Sequence, residues 1–108
     1  MSTRDVSTAQ EKRIAKVLGA RRTSNSGATK FDKGDLTIGQ DWLLEAKTSM
    51  TLKKSFSIKR EWLDKLKDEM YATGKSYRAL CFDFGDEKDR YYVIDENLFI
   101  QLKEFLKD

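Results

Sequence analysis

A carboxylate and an ammonium group stand two residues apart in an otherwise apolar run, Trp42 to Thr48. If this run is a strand, residues i and i+2 point to the same face, so Glu45 and Lys47 share a face. A second carboxylate, Asp35, stands upstream in the same stretch. Carboxylates hold hard cations and an ammonium group stabilises developing negative charge, so these three side chains could form one hydrolytic metal site.

The length of the turn before Trp42 decides whether Asp35 and Glu45 share a face. A two-residue loop would send Asp35 to the face opposite Glu45 and would pair apolar residues with polar ones. A three-residue loop pairs Asp35 with Glu45 and gathers the apolar side chains on the other side. The apolar pairs of this register are Ile38 with Trp42 and Leu36 with Leu44, across the loop Gly39-Gln40-Asp41. Hydrophobic matching therefore selects the register that assembles the charged site.

A third carboxylate, Glu11, shares a helix stripe with Ile14, Ala15 and Leu18 at spacings of three, four and seven. Converging carboxylates repel unless a cation joins them, and Mg²⁺ fits because it prefers oxygen ligands and is commonly held by one or two carboxylates. We expect Mn²⁺ to substitute for it. The alternative is that Glu11 lies at the stripe edge or serves the helix dipole.

The elements that would position these residues follow the order α-β-β-β-α-β-β-α. A capping box, Ser7-Thr8-Ala9-Gln10, predicts a first helix from Thr8 to about Leu18, and Ser55 or Ser57 is expected to cap the second. Asp95 is expected to cap the last helix. The other predicted features are a hairpin of strands Tyr77 to Phe84 and Arg90 to Ile94, an apolar stripe Ile58-Trp62-Leu63-Leu66-Met70, and inward-facing Leu98, Phe99, Leu102, Phe105 and Leu106.

The composition sets wider limits. The 108 residues predict a single domain over residues 1–108, with a net charge of +3 and no histidine. Without an imidazole, any catalysis must use carboxylates and lysine, and Cys81 is expected to be a small core residue rather than a nucleophile. One cysteine, no apolar core of a signal peptide and no membrane-length apolar run predict a cytoplasmic protein.

Basic and small polar side chains follow the first helix. Adjacent arginines offer planar donor forks to phosphate, and hydroxyl groups add neutral donors. The alternative is a solvated loop, which the sequence alone favours. The candidate DNA contacts are Arg21, Arg22, Ser24, Ser26, Lys30, Lys53 and Lys54.

Taken together, Glu11, the segment Arg21 to Gly27, Asp35 and Glu45-Ala46-Lys47 resemble the PD-(D/E)XK nuclease superfamily, most closely its small archaeal-type Holliday-junction resolvases. The resemblance implies a restriction-endonuclease-like core, in which helices flank a mixed central sheet. It also implies metal-dependent hydrolysis of DNA phosphodiester bonds by a homodimer acting on branched DNA.

By the same resemblance, Asp35 and Glu45 are expected to bind the metal, Lys47 to be the catalytic lysine and Glu11 to assist the metal. Gly34 stands before Asp35 where the superfamily's name has a proline. The alternatives are a nuclease of the same fold that cuts linear or flapped DNA, and a non-catalytic nucleic-acid-binding domain. A third alternative is a small structural or partner-binding domain in which Glu45 and Lys47 form an ordinary surface ion pair.

Overall fold

The computed structural model describes residues 3–23, 36–86 and 88–107, and it forms a compact α+β domain. Three helices and five strands follow one another in the expected order. The elements are α1 (Thr3–Leu18), β1 (Arg21–Arg22), β2 (Leu36–Ile38), β3 (Trp42–Lys47), α2 (Arg60–Ala72), β4 (Tyr77–Asp83), β5 (Arg90–Val93) and α3 (Glu96–Phe105).

The five strands form one mixed sheet in the order β1-β2-β3-β4-β5. Only β3 and β4 run parallel, because α2 carries the chain back between them, and the other neighbours are antiparallel. In the β2–β3 pair, Ile38 lies opposite Trp42 and Leu36 opposite Leu44. The three-residue turn predicted from hydrophobic matching is therefore confirmed, with Gly39 in the left-handed conformation that such a turn needs (φ 55°).

Both faces of the sheet are apolar and each is covered by a helix. Side chains alternate along β3, so Leu44 and Ala46 face α1 while Leu43 faces α2. The α1 side buries Ile14, Leu36, Leu44, Ala46, Ala79 and Cys81, and the α2 side buries Leu43, Leu66, Met70 and Leu80. The predicted apolar stripe of α2 is confirmed. The face that carries Glu45 and Lys47 is thus part of a second core. The alternation of charged and apolar residues along β3 does not by itself predict this second core.

Two of the predicted helix starts are wrong. Helix α1 begins at Thr3 rather than Thr8, so Ser7 lies inside the helix instead of capping it. Helix α2 begins at Arg60 after Lys59, with no side-chain cap. Lys59, directly before the helix, has an extended backbone, and Phe56 between the two predicted caps makes a tertiary contact instead, with its ring stacked on Phe82 at 5.0 Å between centroids.

The start of α3 is confirmed, because the Asp95 carboxylate accepts a hydrogen bond from the amide of Leu98 at 2.8 Å. The predicted inward face of this helix is wrong, since only Leu98 is buried and Phe105 remains 85% exposed. The helix follows β5, an edge strand, so little of the sheet is left for it to cover. No helix within the described ranges is long and apolar enough to cross a membrane.

Candidate metal and phosphate site

Glu45 and Lys47 form an ion pair on the α2 face of β3. The Lys47 Nζ lies 3.4 Å from Glu45 Oε1, and the two side chains are 31% and 13% exposed respectively. Strand alternation gives both side chains the same direction, and the central position of β3 between β2 and β4 fixes their backbone. The pair is therefore partly desolvated on the carboxylate side and open to solvent at the ammonium group.

An aromatic ring holds the Lys47 side chain in place. The Nζ lies 4.8 Å from the ring centroid of Trp62 on α2, a cation–π distance. Trp62 in turn packs against Phe56, which stacks on Phe82 of β4. These contacts orient the ammonium group toward Glu45 and solvent.

A buried polar network joins the end of β3 to α1 and β4. The Gln10 amide donates to the carbonyl oxygen of Lys47 at 2.6 Å and to Asp83 Oδ2 at 3.2 Å. The other oxygen of Asp83 accepts bonds from the Thr48 hydroxyl at 2.6 Å and from the amide of Gly85 at 2.9 Å. Gln10 and Asp83 are almost fully buried, so this network fixes the backbone that carries Lys47.

The sequence pattern does not predict this network. The capping-box pattern assigns Gln10 to the helix start, and the strand pattern assigns Asp83 to β4 with no polar partner. A signal did exist, because Asp83 interrupts an aromatic pair, Phe82 and Phe84, just as Glu45 interrupts an apolar strand. The Gln10 Oε1 atom is buried with no hydrogen-bond partner among the described residues, which leaves an acceptor beside the end of β3.

Glu11 lies on α1, on the opposite side of the sheet from the pair. Its carboxylate is 3.2 Å from the Arg22 Nε atom, and its side chain is only 8% exposed. Because the neighbouring Gln10 bonds the carbonyl of Lys47, Glu11 lies near the same end of β3. The predicted inward direction of Glu11 is confirmed, and part of its reason is the ion pair with Arg22.

The remaining predicted residues divide into two groups. Asp35, Ser24, Ser26 and Lys30 lie outside the described residues, so the predicted second carboxylate has no described position. Within ranges 3–23, 36–86 and 88–107, no three potential ligands of the His, Cys, Asp or Glu type gather closely enough to hold a metal ion. Arg21, Lys53 and Lys54 are exposed, and Arg22 is exposed while it contacts Glu11.

Cys81 is a core residue, as predicted. It is fully buried, and burial is the main reason that the pKa of its thiol rises from 9.0 to about 11. The hydrogen bond from Tyr92 opposes this rise, while the nearby Asp83 carboxylate adds to it. The thiol is therefore neutral at physiological pH and is a poor nucleophile or metal ligand.

The site as described can do two things chemically. The Glu45 carboxylate can bind a hard cation, and the Lys47 ammonium can bind or stabilise an anionic oxygen beside it. No family model, curated protein or solved structure matches the chain. The geometry of Glu45 and Lys47 is thus the observation from which function must be argued.

Proposed function

We propose that this chain is a metal-dependent endonuclease that hydrolyses DNA phosphodiester bonds, with a restriction-endonuclease-like core and a preference for branched DNA. The observation that carries the proposal is the ion pair of Glu45 and Lys47, 3.4 Å apart on one face of a central strand. The strand is otherwise apolar, and both charged side chains are only partly exposed. Charges placed so are costly, and a function at this position explains why the sequence carries them.

Lys47 would act on the reacting phosphate. Its ammonium group is held by Glu45 and by the Trp62 ring, so it is already oriented before substrate binds. An oriented cation stabilises negative charge that develops on phosphate oxygens during attack, and it can also steady the attacking water. The hydrogen bond from Gln10 to the Lys47 carbonyl holds the end of β3 against α1, which fixes the backbone from which the ammonium group extends.

The donor set fits a hard divalent cation. Glu45 supplies one carboxylate whose side chain is 13% exposed, and Asp35 is the second that the sequence register supplies. One or two carboxylates with water and substrate phosphate are the usual ligands of Mg²⁺, with Mn²⁺ as a substitute. When bound, the cation would polarise the phosphate and lower the pKa of a water molecule. Glu11, on the α1 side of the sheet and paired with Arg22, is the proposed assisting carboxylate from the other face.

The proposed substrate is a polyanion, and the chain carries exposed cations around the site. Lys53 and Lys54 follow the charged strand, and Arg21 lies on β1 at the edge of the sheet. Because the proposed contacts neutralise phosphates, we expect binding to weaken as salt rises, with a slope set by the number of contacts rather than by the modest net charge of +3. Arg22, Ser24, Ser26 and Lys30 complete the proposed contacts, and a homodimer would offer two such sites to a branched duplex.

The test compares substrates and variants in one assay. Wild type and Glu45→Gln are incubated with a four-way junction, a flap and a linear duplex, with and without Mg²⁺. We expect Mg²⁺-dependent products mainly from the junction, and a loss of about 10²–10³-fold in rate for Glu45→Gln or Lys47→Gln. Thermal unfolding of each variant checks that the loss is not a loss of folding.

A matched control is Asp64→Asn, which makes the same change of carboxylate to amide in the exposed Arg60–Asp64 pair of α2. It should cleave at the wild-type rate. Cleavage by Glu45→Gln at the wild-type rate would contradict the proposal. Metal-independent, salt-sensitive binding without products would instead identify a non-catalytic nucleic-acid-binding domain.

A further inference from the structure

The loop that follows the charged strand exposes two large apolar side chains at its tip. We call Ser49 to Leu52 the tip. Leu52 is 73% exposed and Met50 is 48% exposed. Single exposed apolar residues are common on protein surfaces. A functional role for these two must therefore be argued from their position and from the contacts that support them.

Three contacts support the tip. The Ser49 hydroxyl donates to the carbonyl oxygen of Thr51 at 2.6 Å, which closes a tight turn. The amide of Lys53 donates to the carbonyl of Phe84 at 2.7 Å, so the outgoing chain is fastened to the end of β4. The backbone of Thr51 rests directly on Gly85, where a Cβ atom would overlap its carbonyl oxygen.

Both ends of the tip are fastened near one buried carboxylate. Asp83 Oδ1 accepts bonds from the Thr48 hydroxyl at 2.6 Å and from the Gly85 amide at 2.9 Å. Gly85 has φ +95°, a conformation that other residues rarely adopt. The Asp83 network and the positive φ of Gly85 therefore support the loop on which Met50 and Leu52 are exposed.

The tip follows the proposed reacting groups closely in sequence and directly precedes two cations. Three residues separate Thr48 from Leu52, so the Cα atoms of these two residues cannot be more than roughly 14 Å apart. The exposed lysines Lys53 and Lys54 come directly after the tip. Apolar side chains flanked by cations suit a surface that contacts bases and phosphates of the same strand.

We infer that the tip is a wedge for unstacked bases: Leu52, with Met50 beside it, inserts at a branch point while Lys53 and Lys54 bind the adjacent phosphates. This inference rests on the proposed nuclease function and supplies its substrate selectivity. Inserting an apolar side chain into duplex DNA costs the unstacking of a base step, on the order of a few kcal/mol. At a branch point that cost is already met, so the wedge favours branched over linear DNA.

The experiment places 2-aminopurine, whose fluorescence rises when it is unstacked, at the branch point of a four-way junction. The protein is the Glu45→Gln variant in Mg²⁺, so that cleavage does not interfere. We expect the fluorescence to rise on binding, and Glu45→Gln with Leu52→Ser to lose most of that rise. The same double variant should bind the junction about 10-fold more weakly, with its affinity for linear duplex unchanged.

The matched control is Val17→Ser in the same Glu45→Gln background, which changes an aliphatic side chain of similar exposure, 64%, on α1. It should leave the fluorescence and both affinities unchanged. A double variant with Leu52→Ser that keeps the full fluorescence rise would overturn the wedge. So would an equal loss in Val17→Ser, because the effect would then not be specific to the tip.

Failure of the wedge and failure of the nuclease have different signatures. If wild type cleaves junctions in Mg²⁺ and Leu52→Ser keeps the same preference for junction over linear duplex, the nuclease stands and the wedge is wrong. If wild type yields no products but the fluorescence rise depends on Leu52, the nuclease is wrong and the base-binding tip stands.

Discussion

The side-chain amide of Gln10 donates a 2.6 Å hydrogen bond to the main-chain carbonyl of Lys47, which ties helix α1 to the strand that carries the charged pair. The same amide reaches Asp83 at 3.2 Å, and Asp83 reaches Thr48. Three segments distant in sequence therefore meet at the end of β3. A substitution in this network should therefore change the position of Lys47 and lower the free energy of unfolding.

Replacing Gln10 by leucine tests that coupling. Gln10→Leu removes two donors from buried acceptors, so we expect the free energy of unfolding to fall by about 1–3 kcal/mol. If Lys47 is catalytic, kcat should fall while KM changes little, because the loss falls on the orientation of a reacting group. Urea unfolding and steady-state cleavage measure the two effects.

The control for that variant is Gln101→Leu, the same substitution at an exposed position of α3. It should change the free energy of unfolding by no more than about 0.5 kcal/mol. A Gln10→Leu protein with wild-type stability and wild-type kcat would show that the network neither stabilises the fold nor orients Lys47.

The ion pair of Glu11 and Arg22 separates a structural role of Glu11 from a metal-assisting one. A double-mutant cycle of Glu11→Gln and Arg22→Met should give a coupling of about 0.5–3 kcal/mol in the free energy of unfolding, because the carboxylate is nearly buried. If Glu11 also assists a metal, Glu11→Gln should raise the Mg²⁺ concentration needed for cleavage and Arg22→Met should not. Equal Mg²⁺ dependence of the two variants would leave Glu11 with the structural role alone.

The raised pKa of the Cys81 thiol predicts that the protein loses stability in alkaline solution. Burial raises the pKa of its thiol from 9.0 to about 11, so above pH 9 the unfolded chain releases this proton before the folded protein does. The stabilisation is complete below pH 9 and is lost as the pH rises to about 11. We expect a contribution on the order of 1–3 kcal/mol.

Urea unfolding of wild type and Cys81→Ala at several pH values between 8 and about 11 measures this contribution. The free energy of unfolding should fall more steeply with pH in wild type. Tyr92, whose pKa is raised first by burial and then by the neighbouring Cys81, also contributes to the fall, and it contributes less in Cys81→Ala. The difference between the two curves therefore measures Cys81 together with its effect on Tyr92. Parallel curves for the two proteins would exclude the thiol as a cause.

The proposed homodimer has a candidate surface on α3 and just beyond it. The helix is buried at Leu98, and its other large apolar side chains are exposed. These are Phe99, Ile100, Leu102 and Phe105, with Leu106 following. If they form the dimer interface, Phe99→Ser with Phe105→Ser should convert a dimer to a monomer in sedimentation velocity. A wild-type protein that sediments as a monomer at all concentrations would contradict the homodimer.

The hairpin provides the control for that experiment. Tyr91 is 49% exposed on the edge strand β5, and it is the competing candidate for an interface. Tyr91→Ser should leave a dimer built on α3 intact. Dissociation by Tyr91→Ser instead would move the interface to the hairpin.

The strand register could be predicted because it depends on local matching. Ile38 and Leu36 had to meet Trp42 and Leu44, and a slip by one residue would have moved one strand's side chains to the opposite face of the sheet. The start of α2 could not be predicted from Ser55 and Ser57 alone, because the stacking of Phe56 on Phe82 depends on tertiary structure.

The part of the candidate site that depends on local strand geometry could also be predicted. Two-residue spacing on a strand fixes the common face of Glu45 and Lys47 without knowledge of the fold. The bond between Gln10 and Asp83 joins residues 73 positions apart, and it depends on how α1 is rotated against the sheet. Hydrophobic periodicity gives that rotation too coarsely to choose between Gln10 and its neighbours.

The position of β3 inside the sheet has a consequence for motion. Its amides are bonded between two strands, so we expect their hydrogens to exchange with solvent only when the whole domain opens. The tip from Ser49 to Leu52 has no strand partner and should exchange far sooner. The boundary falls at Thr48, so we expect substitutions in the tip to leave the positions of Glu45 and Lys47 unchanged.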